Sequence, residues 1–269
     1  MGRKKAEDTG IFRLVFPKFW RWPWVCGQAA DEVQSQVTSN GLIHYESNQT
    51  MTTIAVIHTT PVTVEPIKVQ ISEQIPDSRV VNIIDDSLLN DVREAGHLTP
   101  EVASRIHSYM ANAQAMRVDI ILNACSSVGE AVDSVRNFVS TPVVKIDEAM
   151  AEEASVIGRR IGVVATVSTT LDPTVRLVKK KASEIGRTVE VTERIAEGAF
   201  EALLRGDIAR HDDILKSAIS TLAQQVDVVV LAQVSMARLV PHLDGMRVPV
   251  LSSLRSGVAA LKRALGNVL

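Results

Sequence analysis

The amino-acid sequence predicts an α/β protein made of two similar halves, with parallel sheets facing each other across a cleft. Two observations lead there. From residue 53 onward, short Val/Ile-rich runs alternate with helical patterns. Strands that alternate with helices pair in parallel and are joined by right-handed crossovers. One strand–loop–helix unit also occurs twice. Asp119-Ile120-Ile121-Leu122-Asn123-Ala124-Cys125 is echoed by Asp227-Val228-Val229-Val230-Leu231-Ala232-Gln233. Each copy is followed by small polar residues, a helix and a Pro-Val strand, at Thr141-Pro142-Val143-Val144 and Val248-Pro249-Val250-Leu251.

Strands are predicted at 53–58, 79–84, 118–123, 142–146, 161–166, 188–192, 227–232 and 248–251. Several are unbroken Val/Ile runs, the pattern of strands covered on both faces. Helices are predicted between them, at 62–75, 99–116, 128–138, 147–157, 172–185, 197–204, 211–225 and 253–267. Thr99 followed by Pro100 reads as an N-cap with proline at the first helical position. Asp172-Pro173 reads the same way. Gly186 stands where a helix should end on a left-handed residue. Asp85-Asp86-Ser87 follows the second strand and reads better as a helix cap than as a carboxylate at the cleft rim. Lys179-Lys180-Lys181 reads as a solvated helix face.

These elements divide the chain into a first half, 51–146, onto which the last helix (253–269) packs back, and a second half, 147–252. Residues 1–50 stand apart. They hold all three Trp (Trp20, Trp22, Trp24) and three of the five Phe (Phe12, Phe16, Phe19). The polar stretch that follows shows neither a strand nor a helix period. This segment is expected to be a weakly ordered extension, with Met51 as the natural start. Its basic and aromatic residues suit an interfacial membrane anchor less well, because Pro17 and Pro23 interrupt any amphipathic helix.

Composition narrows the function. A formal net charge of -2 implies no polyanion partner. There is no zinc-finger spacing, no basic stripe with interleaved aromatics and no RNA-binding motif, so no nucleic acid is expected. No apolar run reaches the roughly 18 residues of a membrane-spanning helix. The two cysteines, Cys26 and Cys125, fall in unrelated regions. That argues against a disulfide framework and for a reducing compartment, so a cytoplasmic location is expected. The number of subunits stays open, and a homo-oligomer is compatible with the chain. No P-loop is present and no Gly-x-Gly-x-x-Gly follows a strand. No cofactor and no metal are expected.

Cys125 carries the chemistry. An apolar run ends at Asn123-Ala124-Cys125-Ser126-Ser127, and a helical pattern follows. That sets the thiol at the carboxyl end of a strand and near a helix N-terminus, where N–H groups favour a thiolate or a bound carboxylate. A lone Cys beside apolar residues is also a common small core residue. Thr59, Thr60, Ser126, Ser127, Thr166, Ser168, Thr169 and Ser235 all fall in loops after strands. Such loops gather at one edge of an open α/β sheet. Each hydroxyl alone suits ordinary turn chemistry; together they suit a polar cleft for a small anion.

At these residues the chain resembles the aspartate/glutamate racemase superfamily, which includes amino-acid and hydantoin racemases, maleate isomerase and arylmalonate decarboxylase. The resemblance covers about residues 52–267. It rests on Asn123 to Ser127, on Leu231-Ala232-Gln233-Val234-Ser235-Met236-Ala237, on Arg160 to Thr170 and on His58-Thr59-Thr60-Pro61. It implies a cofactor-independent enzyme that moves a proton next to the carboxylate of a small acid, amino-acid-like or a dicarboxylate. Thiols then serve as the acid and base, and surrounding donors hold the charge that develops. It also implies a substrate pocket of Thr59, Thr60, Asn123, Ser126, Ser127, Thr166, Ser168, Thr169, Gln233, Val234 and Ser235.

The sequence departs from the two-thiol pattern at Gln233, which stands where the second Cys is expected. A carboxamide cannot exchange a proton near neutral pH. Three readings follow. One is a single-thiol isomerase, lyase or decarboxylase. The second is a racemase or epimerase whose other acid/base is His58, with His242 behind it. The third is a protein that binds a small carboxylate without turning it over. A histidine that ends a strand is also commonly held by its neighbours, which suits His58 equally.

Overall fold

The computed structural model describes residues 51–243 and 245–267. The expectations for residues 1–50, including Cys26, lie outside these. The elements run β1 (Thr53–His58), α1 (Val64–Gln74), β2 (Arg79–Ile84), α2 (Ser87–Ala95), α3 (Pro100–Ala115), β3 (Ile120–Asn123), α4 (Gly129–Val135), β4 (Val143–Lys145), α5 (Glu148–Ile157), β5 (Arg160–Ala165), α6 (Ser168–Glu184), β6 (Glu190–Ile195), α7 (Ala199–Leu204), α8 (Ile208–Leu222), β7 (Val228–Leu231), β8 (Val250–Ser252) and α9 (Ser253–Gly266).

The strands form two four-stranded sheets in the orders β2-β1-β3-β4 and β6-β5-β7-β8, every pairing parallel. The second order repeats the first. The register repeats too: Ile54 pairs with Ile120 and Ile161 with Val228. Counting along from these pairs, Ala55 corresponds to Gly162, His58 to Ala165, Thr59 to Thr166 and Cys125 to Gln233. The echoed aspartates close the bottom of each sheet. Asp119 accepts the N–H of Thr53 at 2.7 Å. Asp227 accepts the N–H groups of Arg159 and Arg160 at 3.1 and 2.9 Å and the Arg160 guanidinium at 2.6 Å. The Arg160 hydrogen bonds hold the Asp227 carboxyl down to about 2.

The central strands β1, β3, β5 and β7 are almost wholly buried, as their unbroken apolar runs require. The last helix, α9, adds Val258, Leu261 and Leu265 to a core shared with Ile54 and Val56 of β1, Ile67 and Ile71 of α1, and Ile120 and Leu122 of β3. Its close approach depends on Gly257, where a Cβ would collide with the carbonyl oxygen of Ile146. Gly162 has the same role in the second half: a Cβ there would lie 2.6 Å from Leu222 Cδ2 of α8.

Several local signals act as the sequence expects. Thr99 accepts the N–H of Val102 at 3.4 Å, with Pro100 at the head of α3. Gly186 has φ +70 and the N–H of Arg187 returns to the Ala182 carbonyl at 2.9 Å, which closes α6 in a left-handed cap. Others differ. A helix, α2, fills 87–95, where none was predicted. α6 starts at Ser168 and not at Asp172, so Pro173 lies inside it. Burial of Thr169, Thr170 and Leu171 against the core outweighs the proline signal. After β7 the chain forms a 3-10 segment, Val234–His242.

Candidate active site

The loops after β1, β3 and β7 meet in one cavity of about 640 Å³, its open mouth included. This is the size range of small-molecule sites. The β1 loop contributes Thr59, Thr60 and Thr63, the β3 loop Cys125, Ser126 and Ser127, and the β7 loop Gln233, Val234 and Ser235. Thr170 of α6 adds a hydroxyl. Apolar side chains complete the lining: Val62, Leu89 of α2, and Phe200, Leu203 and Leu204 of α7. Two hydrogen bonds fasten the halves at the cavity floor. Ser126 Oγ donates to the Ala232 carbonyl at 3.4 Å, and the Ser127 and Thr170 hydroxyls are 2.9 Å apart.

Cys125 is a free thiol with extended backbone (φ -135, ψ 121), which turns its side chain into the cavity just before the 3-10 turn at Ser126–Val128. Burial pushes this thiol up. The Thr59 hydroxyl, the N–H groups of Ser127 and Val128 and the Ser127 hydroxyl all pull it down, without offsetting burial. The expected thiolate-favouring turn is therefore present, but the resting group stays protonated above the usual thiol range. Asn123 does not line the cavity. Buried at the end of β3, its Nδ2 donates to the Cys125 carbonyl at 2.9 Å and so fixes the loop that carries the thiol.

Gln233 faces this site from the other half. Its Oε1 accepts the Thr166 N–H at 2.7 Å and the Thr166 hydroxyl at 2.9 Å. A backbone N–H can only donate, so the oxygen must face Thr166 and the amide N–H₂ is left to the cavity. Thr166 thus acts through Gln233 and does not itself line the cavity. Its counterpart Thr59 stands beside the Cys125 thiol in the same way. Ser168 and Thr169 lie in the first turn of α6, outside the lining, and Thr169 Oγ1 is buried without a hydrogen-bond partner among the described residues.

His58 is fully buried behind this wall. Its Nδ1 is 2.8 Å from Thr63 Oγ1 and its Nε2 is 2.9 Å from Asn82 Oδ1. Burial holds it below its ordinary value, against the pull of Asn82. His58 does not line the cavity, and His242 lies exposed in the 3-10 segment after β7. Asp85 takes the capping role: it accepts the Ser87 N–H at 3.1 Å and hydroxyl at 2.6 Å, the Tyr109 hydroxyl at 2.5 Å, and Arg105. Burial alone would raise Asp85, and these bonds hold it lower.

Behind Ser126 runs a charged seam between the halves. Lys145 pairs with Asp133 at 2.9 Å, Arg176 with Glu130 at 2.5 Å and Lys180 with Asp133 at 3.5 Å. Lys180 is thus tied across the seam, in contrast to the purely solvated face expected for it. Asp147 is buried beside them, pushed up by burial, with Oδ1 unpartnered among the described residues. Sequence reasoning missed Thr63, Thr170 and the apolar wall. Thr170 was signalled by its place in the Ser168-Thr169-Thr170 run. The wall comes from two helices that no local pattern connects. Among the described residues no group of three or more His, Cys, Asp or Glu is placed to hold a metal ion, and no helix is long and apolar enough to cross a membrane.

Two matched parallel sheets with a cleft between the loops after their central strands define a two-fold repeated α/β protein. Residues 42–261 match the family described as Asp/Glu/Hydantoin racemase, and the chain belongs to that family. Solved structures share the fold. Glutamate racemase RacE1 from Bacillus anthracis is similar at 18% identity over 80% of this chain and 82% of that one, with a TM-score of 0.61. Aspartate racemase from Picrophilus torridus is 15% identical over 80% and 94%, with a TM-score of 0.61. Allantoin racemase from Klebsiella pneumoniae is 16% identical over 81% and 89%, with a TM-score of 0.56. No curated protein sequence is significantly similar to the chain.

Proposed function

We propose that this protein exchanges a proton at the carbon next to the carboxylate of a small acid, without metal or organic cofactor, with Cys125 as the acid and base. One observation carries the reading: Cys125 is the one titratable side chain among the residues lining the cavity. Family membership supports racemase-type chemistry on a small acid. In the forward step the Cys125 thiolate takes the proton from carbon, leaving an enolate-like anion. In the return step the Cys125 thiol gives a proton back. Neutral donors around the carboxylate, the Gln233 amide and the loop hydroxyls, would stabilise the charge that develops.

The asymmetry of the site shapes the outcome. Gln233 holds the opposite side but can neither take nor give the proton. Cys125 therefore serves one face, and inversion requires the planar anion to receive its second proton from water or after turning. His58 is a poor second base, because it does not line the cavity and both its ring nitrogens are already engaged, by Thr63 and Asn82. A reducing, cytoplasmic setting suits a mechanism that needs a free thiol.

The test is deuterium incorporation from heavy water into a panel of small carboxylic acids, followed by mass spectrometry. The expected result is exchange at the carbon next to the carboxylate, lost in Cys125→Ser. Full exchange in Cys125→Ser would overturn the assignment. A thiol inert to labelling, with ligand binding but no exchange, would instead establish a binding protein.

A further inference from the structure

We propose that the cavity takes a monocarboxylate carrying one apolar group, aryl or branched alkyl, in preference to a dicarboxylate or an amino dicarboxylate. This deepens the functional reading above and rests on it for the identity of the reacting carbon.

The lining is sorted by polarity. Most of the hydroxyls, the thiol and the Gln233 amide come from the loops after the strands, whereas Leu89, Phe200, Leu203 and Leu204 come from α2 and α7 and Val62 from the turn after β1. No Lys, Arg, His, Asp or Glu lines the cavity. One carboxylate is well served by the floor, because neutral N–H and O–H donors suffice for a single anion. A second carboxylate would lie among Leu89, Phe200 and Leu203 with no charged partner in the lining, an arrangement that costs more than it gains. A substrate ammonium meets the same obstacle. Asp85 is committed to Ser87, Tyr109 and Arg105, and Asp147 lies behind Ser126 in the seam.

A second observation is independent of the first. Leu204 is 66% exposed and Val62 45% exposed, and both stand on the cavity wall. Apolar side chains that lie open at a ligand site are covered favourably by an apolar group of the ligand. The cation beside this wall, Arg93 of α2, does not line the cavity. Its guanidinium lies over the Phe200 ring, 4.6 Å from the ring centroid.

The experiment is titration calorimetry on the full chain and on Cys125→Ser, with 2-phenylpropionate, succinate and aspartate as probes. The expected result is that 2-phenylpropionate binds at least about tenfold more tightly than either diacid in both proteins, the value of one buried apolar group. Leu204→Arg, at an exposed position and checked for unchanged thermal unfolding, is expected to bring succinate level with 2-phenylpropionate or above it. Equal or tighter binding of succinate or aspartate by the unaltered chain would overturn the proposal, as would no binding of 2-phenylpropionate. Succinate binding that disappears in Arg93→Ala would overturn it too, by exposing Arg93 as a counter-charge. The two readings fail separately. Preferential binding of 2-phenylpropionate without deuterium exchange sinks the acid/base role of Cys125 and leaves the ligand class standing. Exchange on aspartate but not on 2-phenylpropionate does the reverse.

Discussion

The two halves have one backbone plan and different chemistry at the same address. Each ends a central strand, passes through an Ala whose N–H bonds across to the neighbouring strand at 3.0 Å, and then presents one side chain to the cleft. In the first half that side chain is Cys125, flanked by Thr59. In the second it is Gln233, flanked by Thr166. The frame is duplicated, while the one titratable side chain of the cavity lining stands on one side. Strand pairing defines where a functional group stands; the residue placed there decides what it can do.

The sharpest way to break this contrast is to exchange the two roles. Cys125→Ser should lower proton exchange by about two to four orders of magnitude, the usual share of general acid/base catalysis, with ligand affinity retained in calorimetry. Gln233→Leu should weaken carboxylate binding by about ten- to a hundredfold, the worth of a hydrogen bond to a charged group, and should slow exchange of bound substrate less than Cys125→Ser does, because it removes a donor and not the proton carrier. Equal losses of kcat in both variants would show that the halves share the chemistry. Gln233→Cys sharpens the contrast: it should add racemisation of an acid the parent exchanges on one face, read by chiral chromatography.

A packing swap comes next in size. Gly162→Ala forces a methyl against Leu222 and should cost about 1–3 kcal/mol of stability. The reverse change at its counterpart, Ala55→Gly, should cost about 0.5–1 kcal/mol. Urea denaturation measures both, and similar values would deny the close approach of α8 to β5. A pH effect is the smallest. His58 has its value lowered in the folded state, whereas its counterpart Ala165 cannot titrate. The unfolded chain therefore binds the extra proton first. Stability should be full above about pH 6.5 and should fall as pH drops below it toward the folded value. His58→Gln should flatten that slope in denaturant midpoints taken from pH 8 to 5. The thiol moves oppositely. Because burial raises Cys125, exchange limited by the thiolate should climb with pH beyond the ordinary thiol value of about 8.5.

The sequence carried the strands well, because a strand buried on both faces has little choice but Val, Ile and Leu. Val228–Leu231 and Ile120–Asn123 are cases in point. The repeated Asp, the Ala and the residue after it were legible as a pair before any contact was known. What was hidden depends on distance. Leu89 and Leu204 lie far apart in sequence and come together only because α2 and α7 both border the cavity. The start of α6 was hidden for another reason: a local proline signal at Pro173 competed with burial of Thr169, Thr170 and Leu171, and burial won. The direction of the Cys125 shift was also beyond sequence, because turn N–H groups can be read from spacing but desolvation cannot.

The seating of α9 has a consequence for how the protein comes into being. The core of the first half is completed by Val258, Leu261 and Leu265, which leave the ribosome only after the whole second half. The first half to be synthesised is therefore the second to be finished. Until α9 arrives, Ile54, Ile67 and Ile71 lack part of their cover, and the nascent chain exposes a surface that invites chaperones or premature association. The cores of the later half are drawn from Met150 to Leu251, all of it made before α9.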